Sequence, residues 1–233
     1  MKVSLSLFSG ALVAGVLGGP VPEDPRSDYR PSPVDPLQAG TTANEFFEGG
    51  CRDVIFIFAR GTTQPGNIGD APGPQTVDLL KAVLGDSVVA AQGVEYPASL
   101  LDNLRRGGCD PEDAKSMAAL ISQAARECPA SKLVVSGFSQ GAALVHRSVE
   151  QLPSAVTARI FAGVTYGDTQ RKQDNGRIPG LDASKTLIIC HDGDLVCEGT
   201  LIVTDAHDDY ELDAPEAVEF IVMLLWVPDV LEN

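Results

Sequence analysis

From Cys51 onward the apolar positions switch between two periods, and the switching predicts strands alternating with helices. Asp53–Ala59 (DVIFIFA) is an unbroken apolar run of β-branched and aromatic residues with a turn signal behind it, the pattern of a strand buried on both faces. Thr76–Leu84 reads as a helix and Ser87–Val94 as a strand. Asp110–Cys128 follows a helical period, with Asp110 as N-cap, Pro111 at the first helical position, and Glu112 and Asp113 in the first turn, where acids favour the helix dipole. Lys132–Ser136 is a strand, Gln140–Leu152 a helix, Ala158–Val164 and Lys185–Cys190 strands, and Val218–Trp226 a closing helix. This order predicts an α/β fold: a three-layer sandwich with a central, mostly parallel, five-stranded sheet flanked by helices. No internal repeat is present.

The pattern before Cys51 is different. Lys2 precedes an apolar stretch from Val3 to Leu17, about 15 residues where a membrane span needs about 20. Residues 1–19 therefore read as a secretory signal, with Gly15, Gly18 and Gly19 as small residues near the cleavage point, although no Ala-x-Ala motif appears. Residues 20–44 carry Pro20, Pro22, Pro25, Pro31, Pro33 and Pro36 among polar residues, which suits a propeptide or linker. The catalytic domain is expected over residues 45–233. Ile221–Val227 is a run of about seven apolar residues, with Glu216 and Glu219 before it at helical spacing, so it predicts a core helix and not a span.

Charge narrows the choice of partner. With 17 Lys+Arg against 32 Asp+Glu the formal net charge is −15, which excludes nucleic acid or an anionic membrane surface, since both need clustered basic charge. The five cysteines are an odd set, so two bridges would leave one thiol over.

Gly137-Phe138-Ser139-Gln140-Gly141 is the sharpest chemical signal. It lies between an apolar strand and an Ala-rich helix, where a nucleophile elbow needs small residues two before and two after the serine. The helix N-terminus behind it favours developing negative charge. A serine hydroxyl needs a base, and there are three histidines. His146 sits about two helical turns past Ser139, too far to reach back, and reads as a surface or partly buried structural residue. His207 is favoured over His191, because it gives the order Ser, Asp, His. For the orienting acid, Asp192 and Asp194 both qualify in the loop Cys190–Cys197, at the carboxyl edge of a strand where α/β sites form. Asp205 and Asp208 flank His207 too closely for a well-aligned imidazole bond. Gly66–Pro74 lacks the lysine of a phosphate loop, and no metal or other cofactor is expected.

Four blocks resemble the secreted fungal cutinases, serine esterases of the α/β-hydrolase type: Asp53–Asn67, Gly137–Leu144, Gly167–Gly180 and Cys190–Tyr210. The resemblance implies Ser139 as nucleophile, Asp194 as the acid within C-x-x-G-D-x-V-C, and His207 as base. It implies an oxyanion hole at Thr62 and Gln140, with Asn103 supporting the Thr62 hydroxyl. It also implies disulfides Cys51–Cys128 and Cys190–Cys197, leaving Cys109, after Gly107-Gly108, as an exposed thiol, free or in an intermolecular link. Leu100, Leu101, Leu201 and Val203 correspond to a substrate rim for polyester chains. The expected enzyme is a secreted, cofactor-free monomer acting on insoluble plant polyester or small hydrophobic esters.

Two departures bear on substrate. Asp205, Asp208 and Asp209 surround His207 where in several cutinases the loop is mainly apolar; they either disfavour waxy surfaces and anionic substrates or stand as ordinary solvated carboxylates. Gly93-Val94-Glu95-Tyr96-Pro97-Ala98 is similar to the Tyr-Pro-Ala segment of acetylxylan-type esterases and cutinase-like enzymes. The alternatives are therefore a short-chain esterase on plant polysaccharide and a secreted binding or effector protein without turnover.

Overall fold

The computed structural model describes residues 39–226. The expected signal, most of the proline-rich segment and the last seven residues lie outside them. Five strands, β1 (Val54–Ala59), β2 (Val89–Gly93), β3 (Lys132–Phe138), β4 (Ile160–Tyr166) and β5 (Thr186–Ile189), form one sheet in the order β2-β1-β3-β4-β5. Every pairing is parallel. The chain leaves β1 towards β2 and then crosses to β3 on the other side, so the order reverses between β1 and β3. The crevice at such a switch point, beyond the carboxyl ends of the strands, is where α/β sheets bind ligands.

The sheet is flanked by α1 (Glu45–Gly49), α2 (Gly73–Leu84), α3 (Pro111–Glu127), α4 (Gln140–Val149), α5 (Ser154–Thr157) and α6 (Ala214–Trp226). The apolar run of β1 supplies both faces, because side chains alternate along a strand. Ile55, Ile57 and Ala59 join Met117 and Ile121 of α3 and Leu144 and Val145 of α4 in one core. Val54, Phe56 and Phe58 join Val77 and Leu80 of α2 and Ile221 of α6 in the other. Asp110 caps α3 as expected, its side chain accepting a hydrogen bond from the Glu112 N–H at 2.8 Å.

Three expectations change. α6 starts at Ala214, before its apolar period begins at Val218, because Pro215 is tolerated in a first turn. The packed structure takes in Ala39–Asn44, at the end of the expected linker. The Ala39 N–H donates to Asp78, the Asn67 and Ile68 N–H groups donate to the Thr41 carbonyl, and Asn44 bridges Gln92. That stretch begins after the last proline of the segment, where backbone N–H groups become available.

Cys109 is the third. The pairs Cys51–Cys128 and Cys190–Cys197 form disulfides, and Cys109 is a free thiol. It is 2% exposed in the α3–α4 core, with burial pushing its pKa up to about 12. Gly107 and Gly108 are not a loose turn. A Cβ on Gly108 would stand 3.0 Å from the Ala143 Cβ, and one on Gly107 would stand 2.9 Å from Arg147 Cδ. The glycines bring this segment against α4 and carry Cys109 inward, so the thiol is buried and not exposed. Among the described residues no helix is long and apolar enough to cross a membrane.

Candidate active site

The elbow between β3 and α4 holds Ser139 at φ 55°, a left-handed conformation that costs a non-glycine residue of order 1–3 kcal/mol. Its neighbours explain the glycines. A Cβ on Gly137 would lie 2.3 Å from the Gly141 carbonyl oxygen, and one on Gly141 would lie 2.0 Å from that of Ala59. No side chain fits at either position, so the turn stays tight and the serine stands at the strand tip. The Ser139 N–H donates to the Tyr166 carbonyl at 2.9 Å, which ties the elbow to β4.

His207 Nε2 stands 3.0 Å from Ser139 Oγ, and His207 Nδ1 stands 2.8 Å from Asp194 Oδ2. Asp194 and His207 are both buried, whereas Asp192 is exposed. Of the two candidate acids, open in the residue pattern, Asp194 is the one that meets His207, and donors hold it there. The Val196 N–H reaches Asp194 Oδ1 at 2.9 Å, and the Tyr210 hydroxyl donates to Oδ2 at 2.8 Å. A carboxylate held this way orients the imidazole and fixes which nitrogen carries the proton.

Two residues of this surround were not singled out from sequence. Tyr210 donates to Asp194 and meets the His207 ring edge-on, centroids 6.0 Å apart. Burial, the chief cause, pushes its pKa up, so it keeps the proton it donates. Gly167, at φ 51°, passes under His207; a Cβ there would lie 2.7 Å from His207 Cε1. Phe138 stacks on the other contact of the ring, centroids 5.1 Å apart. The available signals were a tyrosine three positions after the histidine and a glycine directly after β4.

Of the two positions expected to face the oxyanion, Thr62 follows β1 and Gln140 opens α4. The first N–H groups of a helix have no intrahelical acceptor. Gln140 is anchored by its side chain, whose Nε2 donates to the Ser99 carbonyl at 2.8 Å. Asn103 Nδ2 donates to Thr62 Oγ1 at 2.9 Å and to the Leu100 carbonyl at 3.1 Å. Because that amide nitrogen only donates, the Thr62 hydroxyl proton is left to point elsewhere. The Tyr96-Pro97-Ala98 segment supports the same loop: the Tyr96 hydroxyl donates to the Arg60 carbonyl, and the Thr63 N–H donates to the Ala98 carbonyl. Tyr96 is buried, so its part is in the scaffold.

Leu100 and Leu101, in a short turn held by Asn103, and Leu201, Ile202 and Val203, between Cys197 and His207, are all well exposed at 58–71%. Asp205, Asp208 and Asp209 are exposed as well. The remaining histidines lie apart from Ser139. His146 is fully buried, against the expectation of a surface or partly buried residue, because Asp168 and Asp174 meet its two ring nitrogens. His191 contacts Ala206 and Asp213.

A hydroxyl on a strained elbow, an imidazole within hydrogen-bond reach and a buried carboxylate behind it, at the switch point of a parallel sheet, define an α/β-hydrolase type of serine hydrolase. Comparison with known proteins gives the family. The family model for cutinase matches residues 50–225. Cutinase CUT2 of Pyricularia oryzae is 56% identical over 221 residues, covering 95% of this chain and 98% of that protein. A Trichoderma reesei cutinase solved with a phosphonate inhibitor superposes with a TM-score of 0.72 at 38% identity, covering 80% of each chain. The catalytic core of an acetyl xylan esterase from Trichoderma reesei shares the fold, with a TM-score of 0.60 at 20% identity over 75% of this chain and 99% of that one. The chain belongs to the cutinase family and is a serine esterase, a carboxylic ester hydrolase.

Proposed function

We propose that this esterase is secreted and hydrolyses the ester bonds of cutin and related hydrophobic polyesters through an acyl-enzyme. Ser139 Oγ attacks the ester carbonyl while His207 takes its proton, and Asp194 stabilises the imidazolium that forms. The Thr62 hydroxyl and the N–H groups of Thr62 and Gln140 receive the oxyanion. His207 then returns its proton to the leaving alcohol and activates the water that releases the acid.

The observation that carries the polyester substrate is the exposed apolar pair of segments, Leu100–Leu101 and Leu201–Val203. Side chains of this kind gain by covering alkyl chains, about 25 cal/mol per Å² removed from water, and give a hydrated polysaccharide little to bind. Secretion is supported by the apolar N-terminal stretch and by the disulfides, which persist in oxidising compartments. The likeness at Tyr96-Pro97-Ala98 carries little weight for acetylxylan, since that segment packs beneath the oxyanion loop.

The test is release of hydroxy fatty acids from purified cutin, run beside acetylxylan and p-nitrophenyl esters of increasing acyl length. Cutin release with a preference for acyl chains longer than acetyl is expected. Activity confined to acetyl esters would overturn the substrate assignment, and absence of turnover on every ester would favour a binding protein. Thr62→Val is expected to lower kcat by about 10²-fold with KM little changed, since one oxyanion donor is lost. Asn103→Ala, which removes only the support, is expected to cost about 10-fold. An equal loss in kcat and binding for both variants would point to a collapsed loop instead.

A further inference from the structure

His191 takes no part in the chemistry just described, yet it touches both loops that hold the acid and the base. Its Nδ1 stands 2.9 Å from the carbonyl oxygen of Ala206, the residue before His207, and its Nε2 stands 2.7 Å from Asp213 Oδ2. Both partners are acceptors. A neutral imidazole donates from one nitrogen only, so it would set a lone pair against one of them. The imidazolium satisfies both. The ring also stacks on Tyr210, centroids 4.0 Å apart and 9° from parallel. The His191 N–H donates to the Tyr210 hydroxyl at 3.0 Å, and that hydroxyl donates onward to Asp194. One residue thus braces the base loop through Ala206 and the acid through Tyr210.

We propose that His191 is a positioning residue whose charged form latches the loop carrying His207, through its paired bonds to Ala206 and Asp213, so that turnover falls when its proton leaves. The charges acting on the ring are Asp213, from the turn before α6, and Asp194, from its own loop; the Tyr210 face and the Ala206 carbonyl are neutral. Partial burial pulls the imidazole pKa down, but the bonds to Asp213 and Ala206 and the two carboxylate charges outweigh it and raise it above the ordinary value. Deprotonation releases one of the two bonds, and the approach of His207 Nε2 to Ser139 Oγ is then no longer held. Rate depends steeply on that approach.

The role of His191 rests on His207 being the base, and the experiment separates the two. Initial rates on a soluble short-chain ester are followed by pH-stat titration from about pH 6 to about pH 10, with the unfolding midpoint recorded at each pH. The wild type is expected to lose kcat on the alkaline side, with KM little changed. Asp213→Asn removes the nearest charge and should move that alkaline limb to lower pH by about one unit. His191→Asn should lower kcat about 3–10-fold near neutrality and lose the part of the limb that moves in Asp213→Asn. His146 also titrates in the alkaline range, but Asp213 does not touch it, so a shift in Asp213→Asn isolates His191. A wild-type rate that stays flat to about pH 10, or a limb that stays in place in Asp213→Asn, overturns the proposal. An active His207→Asn would instead overturn the assignment of the base.

Discussion

Ser139→Ala is expected to lower kcat on a p-nitrophenyl ester by about 10⁴–10⁶-fold, with the unfolding midpoint almost unchanged. The size follows from the geometry. His207 Nε2 has Ser139 Oγ at 3.0 Å, and without that hydroxyl no acyl-enzyme forms, so only the residual catalysis of the oxyanion donors and binding remains, about 10³–10⁴-fold over water. Stability is spared because alanine keeps the Cβ at φ 55° and the elbow is held by Gly137, Gly141 and the Ser139 N–H bond to Tyr166. A phosphonate ester provides the second measurement. Mass spectrometry should find the adduct on the peptide containing Ser139 in the wild type and on no peptide of the variant. Labelling elsewhere, or a loss under about 10-fold, would mean that another nucleophile does the work.

What could be read from sequence divides by the range of the interaction that decides it. The elbow was legible because strand, small-residue turn and helix follow in immediate succession: a Cβ on Gly137 would meet Gly141 four residues on, although the crowding at Gly141 comes from Ala59 and Arg60 at the end of the neighbouring β1. Strand β1 was legible from its own composition, since a strand covered on both faces is apolar throughout. Which aspartate meets His207 was not legible from spacing. Asp192 and Asp194 are two residues apart in one loop, and what separates them is donors brought by the fold, Tyr210 above all. Resemblance supplied the choice that spacing left open. Cys109 went the other way: two glycines and an aspartate around it suggest a surface turn, and only the packing of that turn on Ala143 and Arg147 of α4 explains why it is buried. His146 was misjudged because its partners, Asp168 and Asp174, lie beyond β4, 22 and 28 residues away.

That histidine carries the largest stability effect expected here. His146→Leu should destabilise the fold by about 3–5 kcal/mol near neutral pH, because it removes one member of a buried ion cluster and leaves the other charged. His146 and Asp168 are both completely buried. The carboxylate accepts from Thr165 at 2.6 Å and from the Gln170 N–H at 2.8 Å besides meeting His146 Nε2 at 2.8 Å. Asp174 fares better after the change, since Arg147 still bonds to it. Burial opposes the charge on His146, but Asp168 first and Asp174 second outweigh it and push the pKa up to about 9 from 6.5. A group whose pKa is raised on folding contributes fully below its unfolded value and loses that contribution as pH climbs through the folded one. The stabilisation is thus complete below about pH 6.5 and fades through about pH 9, and the difference corresponds to roughly 3 kcal/mol. Urea unfolding of wild type and variant across that window tests it, and the gap between them should narrow as pH rises. A gap that is constant from about pH 6 to about pH 10 would mean that the imidazole fills space without carrying charge. The location gives the result a catalytic reading as well. His146 lies on the helix that opens with Gln140, and Asp168 follows the Gly167 that passes under His207. The cluster therefore joins the helix that opens with Gln140 to the turn that passes under His207, and folded His146→Leu should lose kcat while binding ester normally.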